Sequence, residues 1–384
     1  MKTAEEKYNV RKPLTVIIEP TYNCNLECKY CYVHQNAEKS IRMGEGTLEN
    51  AITKFAFFNG KNEETRFLWH GGEPLFVGLG FYKEVVQIQG KLERKGYKFD
   101  NSMQTNGTLI NEETAEFFKK YNFSIGLSID GPKELNNKTR VYKKNKNAGR
   151  GTFDDILNAI HLLREKGNDV GVIITLNKHN INELPLIYRF LKQEKLSAKF
   201  NSLLKSGSAI KNYEELAVSP NGHKKAKLEV LDMWINDEDP IHLTDFELMA
   251  RNVLNKGKGC ECYFSDSCQK SFISVGPDGD IYPCGEFNGN EKFRYGNINQ
   301  DSIEKILLSP IRQQLLKRAK NIKQCTGCEY QELCNGGCMS NAHAFSGNVA
   351  NKDPYCSVYK TLFGYFSDFI KKVKLEGGKE NGST

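Results

Sequence analysis

The chain has 384 residues, 39% of them hydrophobic and 26% charged, with a formal net charge of +7, a composition that fits a folded globular protein with room for two or three domains. No apolar run reaches the roughly 20 residues needed to cross a bilayer, and the N-terminus Met-Lys-Thr-Ala-Glu-Glu-Lys-Tyr lacks a signal-peptide core, so a cytoplasmic location with reduced cysteines is expected and no membrane partner. The lysines are scattered apart from patches at 133–150 and 371–379; with no aromatic-interleaved basic stripe, they argue against nucleic acid as a partner.

Taken in chain order, apolar runs predict strands over 14–18, 65–69, 99–103, 123–129, 170–175 and 198–203, and helical periodicity fills the gaps at 47–58, 81–95, 111–121, 152–166 and 181–195. Asn111 before Glu112 and Glu113, and Thr152 with Asp155 three positions on, read as helix starts. Six strands alternating with helices predict an α/β fold, a partial (β/α)6 TIM-like barrel. The unusual residues follow strand ends: Cys24-Asn25-Leu26-Glu27-Cys28-Lys29-Tyr30-Cys31-Tyr32 after the first, His70-Gly71-Gly72-Glu73-Pro74 after the second, Gln104-Thr105-Asn106-Gly107 after the third, and Ser128-Ile129-Asp130-Gly131 at the fourth. Parallel barrels build active sites on that face, where loops vary without disturbing the core.

The C-x3-C-x2-C spacing of Cys24, Cys28 and Cys31 puts three thiolates on one short loop. They can hold three corners of a cubane iron–sulfur cluster and leave one iron open to an exogenous ligand. The alternative is part of a zinc site, for which His34 is the nearby fourth ligand. In the second loop the glycines permit close backbone approach and the Glu73 carboxylate can accept hydrogen bonds from a cationic amine.

The barrel pattern ends near 201–208, and helix-like stretches at 220–236 and 245–255 lead to the hinge Lys256-Gly257-Lys258-Gly259. This divides the chain into a barrel at 1–225, a helical linker at 226–258 and a cysteine-rich domain at 259–384. Cys260, Cys262, Cys268, Cys284, Cys325, Cys328, Cys334, Cys338 and Cys356 all fall in the last part. Phe272-Ile273-Ser274-Val275 and Asp280-Ile281-Tyr282 flank Gly276-Pro277-Asp278-Gly279, so a β-hairpin should carry Cys284 back toward Cys268. By spacing alone, the run Cys325 to Cys338 also reads as a zinc ribbon.

The cysteine tripod followed by a Gly-Gly-Glu-Pro turn resembles the radical S-adenosylmethionine (SAM) superfamily. The resemblance implies a [4Fe–4S] cluster on Cys24, Cys28 and Cys31, with SAM on the open iron and cleaved to a 5′-deoxyadenosyl radical. It implies SAM contacts at Tyr32, Gly71, Gly72, Glu73, Asn106, Ser128 and Arg140, with Gln104 facing the nucleoside or substrate. The second cysteine field looks like the SPASM domain of peptide-modifying members. Carried over, Cys262, Cys268, Cys284 and Cys338 hold auxiliary cluster I, and Cys325, Cys328, Cys334 and Cys356 hold auxiliary cluster II, which makes three [4Fe–4S] clusters and leaves only Cys260 of the twelve cysteines unassigned.

Two enzyme readings follow from the resemblance. Anaerobic sulfatase-maturating enzymes share the layout but carry an aspartate base directly after the cysteine matching Cys284; here Gly285 stands there, followed by Glu286, and glycine takes no proton. The segments Cys338 to Gly347, Lys352 to Cys356 and Tyr295-Gly296-Asn297-Ile298 look closer to maturases of ribosomally made peptides (RiPPs), which install carbon–carbon, thioether or ether crosslinks. That reading is preferred. A precursor peptide and an electron donor such as flavodoxin or ferredoxin are then the expected partners. With about twenty residues before the tripod, leader recognition falls to a separate leader-binding protein, a sheet edge or very little leader. Asp130 and Glu286 are the candidate proton carriers, with Asp266 and Tyr355 as further polar neighbours, all four expected more readily on the solvated surface. A third reading, of another class, is a non-catalytic iron–sulfur or zinc scaffold that binds peptides.

Overall fold

The computed structural model describes residues 4–33, 41–143, 149–258 and 262–380. His34, Cys260 and part of the basic patch at 133–150 lie outside them. Six parallel strands form as the apolar runs predict: β1 (Thr15–Ile18), β2 (Glu64–Trp69), β3 (Lys98–Thr105), β4 (Phe123–Ser128), β5 (Val170–Leu176) and β6 (Ser197–Ser202). Between them run α1 (Glu45–Asn59), α2 (Leu79–Glu93), α3 (Glu112–Lys120), α4 (Phe153–Glu165) and α5 (Leu184–Gln193). Each strand presents alternate buried residues to the core, as Thr65, Phe67 and Trp69 do in β2, and the helices cover the outer face.

Local signals explain the helix starts unequally. Asn111 caps α3 by accepting from Thr114 N at 3.0 Å, and Thr114 Oγ1 accepts from Asn111 N at 2.7 Å, a reciprocal capping box. Thr152 precedes α4 but makes no such cap. Its backbone is already helical (φ −105°, ψ −3°) rather than extended as a capping residue requires, and its hydroxyl donates instead to Arg140 O at 3.1 Å.

The sheet does not stop at the sixth strand. β7 (Phe272–Val275) adds to the free side of β1 in parallel, Ile17 opposite Ser274, and the predicted hairpin follows as β8 (Asp280–Tyr282) with β9 (Gly296–Asn297) beyond it. The strand order β6-β5-β4-β3-β2-β1-β7-β8-β9 therefore carries one hydrogen-bonded sheet from the barrel into the cysteine-rich half. Two helices, α6 (Pro220–Ile235) and α7 (Thr244–Leu254), pack against the long C-terminal α8 (Cys356–Glu380). No described helix is long and apolar enough to cross a membrane.

A buried arginine ties the ends together. Arg312, on the short helix Pro310–Leu315, is 1% exposed and donates to Tyr8 O, Asn9 O, Gln269 O and Leu307 O at 2.8 to 3.0 Å. Its removal takes the side-chain donor from Tyr8 O, Asn9 O and Gln269 O, while Leu307 O keeps Gln313 Nε2 at 2.9 Å. Arg312→Met should lower unfolding stability by roughly 3 kcal/mol or more, read as a fall in the denaturant midpoint of cluster-loaded protein.

Candidate active site

The cysteine loop has no regular structure of its own, so neighbouring backbone shapes it. On one side lies the Gly71-Gly72 turn: Gly72 N donates to Thr21 O at 3.0 Å and Glu73 N to Asn23 O at 2.8 Å. A Cβ at Gly72 would lie 2.3 Å from the carbonyl oxygens of Tyr22 and Asn23, and one at Gly71 (φ +112°) would lie 2.5 Å from Thr21 O. The close approach these glycines permit is thus to the chain's own cysteine loop. On a second side, residues 139–143 run antiparallel to the loop, with Lys29 N on Thr139 O at 3.0 Å, Glu27 N on Val141 O at 2.9 Å and a bridge between Leu26 and Tyr142. On the third, Ser208 N donates to Cys31 O at 2.8 Å, and Gly207 (φ +54°) leaves no space for a Cβ against that same oxygen.

The side chains expected to contact SAM also bond to one another and to the tripod loop. Glu73 is fully buried; Oε1 accepts from Thr105 Oγ1 at 2.6 Å and Leu75 N at 3.0 Å, and Oε2 accepts from Asn106 N at 2.8 Å. These bonds fasten the second loop to the third. Asn106 turns its amide to Asn25 Oδ1 at 2.9 Å and toward Cys24 Sγ at 3.6 Å, bracing the tripod. Gln104 Nε2 donates to Ser128 Oγ at 3.0 Å, so these two satisfy each other. Tyr32 Oη lies 3.4 Å from His70 Nδ1, which also accepts from Gly71 N at 2.8 Å; burial pushes the His70 pKa down to about 4 and keeps the ring a neutral acceptor.

Asp130 and Arg140 are not on the solvated surface, being 1% and 6% exposed. Between them stands Tyr30, a residue that sequence reasoning passed over although it lies inside the tripod motif. Arg140 Nη1 donates to Tyr30 Oη at 2.7 Å, and Tyr30 Oη donates to Asp130 Oδ2 at 2.6 Å. Asp130 also accepts from Thr139 Oγ1 at 2.8 Å and Thr175 N at 3.1 Å. Asp266 is on the surface as expected, paired with Arg11 and Lys270, whereas Tyr355 is buried and donates to Leu203 O at 2.9 Å.

No disulfide joins the described cysteines, and they fall into three neighbourhoods. Burial raises the pKa of most of these thiols, and neighbours within each set raise them further: Cys28 and Cys31 act on Cys24; Cys268 acts on Cys262 and Cys284, Cys338 on Cys284, and Cys262 on Cys338; Cys356 acts on Cys325 and Cys334, and Cys328 on Cys325 and Cys356. Buried thiols that repel one another's charged form suit a cationic centre between them. Among the described residues no three His, Cys, Asp or Glu side chains converge tightly enough for one metal ion. A cubane spreads its ligands over several irons, and the all-thiol donor sets fit such a cluster.

Two further residues organise the second half. Asp353, fully buried, accepts from Cys338 N at 2.9 Å, Tyr355 N at 2.8 Å and Asn341 Nδ2 at 3.0 Å. Arg318 donates to four carbonyls, those of Gly336, Gly337, Val349 and Asn351. Glu286 is half-buried against Ser340, and burial lifts its pKa to about 7 despite nearby Lys199. The least expected group is Glu19 at the end of β1. It is 1% exposed, its Oε1 has no hydrogen-bond partner, and burial pushes its pKa up to about 8. That oxygen lies 2.5 Å from where a Cβ on Gly285 would be.

A half-barrel with a cysteine tripod on its first loop and eight more described thiols in the half that extends the same sheet is the architecture of an iron–sulfur enzyme. Residues 18–191 match the Radical SAM superfamily and residues 260–329 the SPASM family, described as an iron-sulfur cluster-binding domain; the chain belongs to the radical SAM superfamily and carries a SPASM domain. It is 28% identical over 364 residues to the cysteine-type anaerobic sulfatase-maturating enzyme of Clostridium perfringens (strain 13 / Type A), covering 92% of this chain and 96% of that one. The solved structure "Native anSMEcpe with bound AdoMet" superposes with a TM-score of 0.83 at 26% identity, over 95% of this chain and 100% of that one. The fold is also that of Streptococcus suis SuiB bound to precursor peptide SuiA, with a TM-score of 0.65 at 20% identity, over 91% of this chain and 76% of that one.

Two outcomes follow from the packing. Gly72→Ala forces two backbone carbonyls apart at a cost of about 1–3 kcal/mol, and should lower the iron content by the tripod's share and abolish 5′-deoxyadenosine formation. Glu19 is protonated when folded but ionised when unfolded between its ordinary 4.5 and about 8, so the unfolded state binds fewer protons there and stability falls with rising pH by about 1.4 kcal/mol per unit. Glu19→Gln, always neutral, should therefore be more stable than the parent by a margin that widens from pH 6 to pH 8, measured as the difference in Tm.

Proposed function

We propose that this chain is a radical SAM peptide maturase that takes a side-chain hydrogen from a ribosomally made precursor peptide and installs an intramolecular crosslink, either a cyclophane carbon–carbon bond or a thioether or ether. The observation that carries this reading over sulfatase maturation is Gly285, which puts no side chain at the position of the aspartate base. Residues 1–225 carry the radical chemistry, 226–258 link, and 259–384 hold the auxiliary centres. Cys24, Cys28 and Cys31 hold the first [4Fe–4S] cluster. Cys262, Cys268, Cys284 and Cys338 hold a second, and Cys325, Cys328, Cys334 and Cys356 a third.

When bound, the tripod cluster and SAM supply a 5′-deoxyadenosyl radical. Tyr32, Gly71, Gly72, Glu73, Asn106, Ser128 and Arg140 orient SAM, Glu73 also fastening the turn that carries it. The crosslink removes two hydrogens from the peptide, one as an atom to the deoxyadenosyl group and one as a proton plus an electron. All-cysteine ligation gives the two auxiliary clusters no open position, which suits them to accept that electron. A low-potential flavodoxin or ferredoxin supplies the starting electron.

A second reading, oxidation of Cys or Ser to formylglycine, draws support from the sulfatase-maturating relatives and from Glu19, whose carboxyl oxygen lies where the side chain of residue 285 would begin. Anaerobic reconstitution with iron and sulfide, reduction, and assay for 5′-deoxyadenosine should give that product; its absence from protein with intact clusters would favour the non-catalytic scaffold. Mass spectrometry of peptides rich in aromatic residues and cysteine should then detect loss of two hydrogens with no hydrazide-reactive group. A hydrazide-reactive aldehyde would select the formylglycine reading.

A further inference from the structure

Arg140 lies in the segment that pairs with the tripod loop, one residue from the Lys29 N to Thr139 O bond and one from the Glu27 N to Val141 O bond. Its position relative to Cys28 and Cys31 is therefore set by backbone, not by a mobile surface side chain. The guanidinium is buried, bonded to Tyr30 Oη, with Nε unpartnered. Because arginine only donates, Tyr30 must accept from it and pass its own proton toward Asp130. Asp130 takes donors from Tyr30, Thr139 and Thr175, the pattern of an ionised carboxylate. A cation and an anion are thus buried beside the tripod, bridged by one phenol.

Both charges are held beside the cysteines by geometry: Tyr30, whose hydroxyl bonds Arg140 Nη1 at 2.7 Å and Asp130 Oδ2 at 2.6 Å, stands between Cys28 and Cys31 in the loop, and the Lys29 N to Thr139 O bond of 3.0 Å holds the Arg140 backbone against that same stretch. Exposed Lys143 on the same segment is screened by solvent. Fixed charges in a low-dielectric site shift the energy of an added electron far more than surface charges do, and charge and hydrogen bonding set iron–sulfur potentials.

We propose that the Arg140–Tyr30–Asp130 bridge sets the reduction potential of the centre on Cys24, Cys28 and Cys31, Arg140 raising it and Asp130 lowering it. The inference rests on the assignment of those cysteines to a cluster. The step is a one-electron reduction with no bond made or broken, the electron coming from a low-potential donor. Arg140 and Asp130 are positioning residues in this role.

The test is an anaerobic redox titration of the reconstituted full chain without SAM, followed by electron paramagnetic resonance of the reduced signal that alters when SAM is then added. Working without SAM removes any effect of an Arg140 contact to its carboxylate. Arg140→Gln should make reduction about tenfold less favourable, a shift of about 59 mV downward for one electron. Asp130→Asn should shift the potential upward by a similar factor, Arg140→Lys should recover more than half of the Gln shift, and the Gln/Asn double variant should return near the parent. Shifts of the same sign, or no shift, in variants with parental iron content and circular dichroism would overturn the inference. Asp130→Asn alone keeps the test decisive if the Arg140 variants do not fold. Absence of any SAM-responsive signal in the parent would overturn the cluster assignment first, and this inference with it.

Discussion

The constraint on which this structure depends is backbone crowding around the tripod loop. Three segments from distant parts of the chain, the turn at Gly71-Gly72, residues 139–143 and the turn at Gly207-Ser208, reach the loop through main-chain hydrogen bonds. Two of them approach so closely that a methyl group would collide with carbonyl oxygen. Main-chain contacts fix position more tightly than long side chains do, since few torsions separate the contact from the scaffold. A loop carrying three thiols in an irregular conformation is held in this way, without a helix or strand of its own.

Much of this was legible from residue patterns. The six barrel strands and their helices form within a few residues of the apolar runs that predict them, because period-two and period-3.6 patterns report directly on which face is buried. The tripod and the Gly-Gly-Glu-Pro turn were legible too, because each places several chemically rare residues at fixed spacing, whereas the division of the later thiols into two sets came from the family resemblance alone. The internal bonds of Glu73, Asn106 and Gln104 were not legible, since nothing in the sequence says that Thr105 and the Asn106 N–H donate to the Glu73 carboxylate. Tyr30 and Arg140 were obscured for a related reason: they sit 110 positions apart, and only the fold turns an aromatic in a cysteine motif and an arginine in a basic stretch into partners.

The cysteine-rich half is less separate than its spacing implies. β7 pairs with β1 along its whole length, so the hairpin delivering Cys284 is anchored to the same strand whose end starts the tripod loop. Tyr22, two residues before Cys24, approaches the turn between β7 and β8, where a Cβ at Gly276 would meet its hydroxyl at 2.5 Å. The relative position of the first two thiol sets is thus fixed through one sheet rather than through a domain interface that can hinge. Such rigidity suits electron transfer between centres, which needs a fixed separation rather than a mobile one.

That same continuity bears on where carboxylate chemistry is located. The end of β1 turns Glu19 toward the start of the segment after Cys284, and the absence of a side chain at Gly285 is what leaves room for it. The oxygen that faces Gly285 is the far end of a flexible side chain, so a larger residue there would displace Glu19 rather than exclude it. Glu19, with an unpartnered oxygen and a pKa lifted to about 8, holds a proton at neutral pH, and burial lifts Glu286 to about 7. Two carboxyl groups raised by burial thus flank Gly285, Glu286 as its neighbour in the chain and Glu19 from the end of β1, so the surroundings of the segment after Cys284 are set by the strand that leads to the tripod as much as by the segment itself.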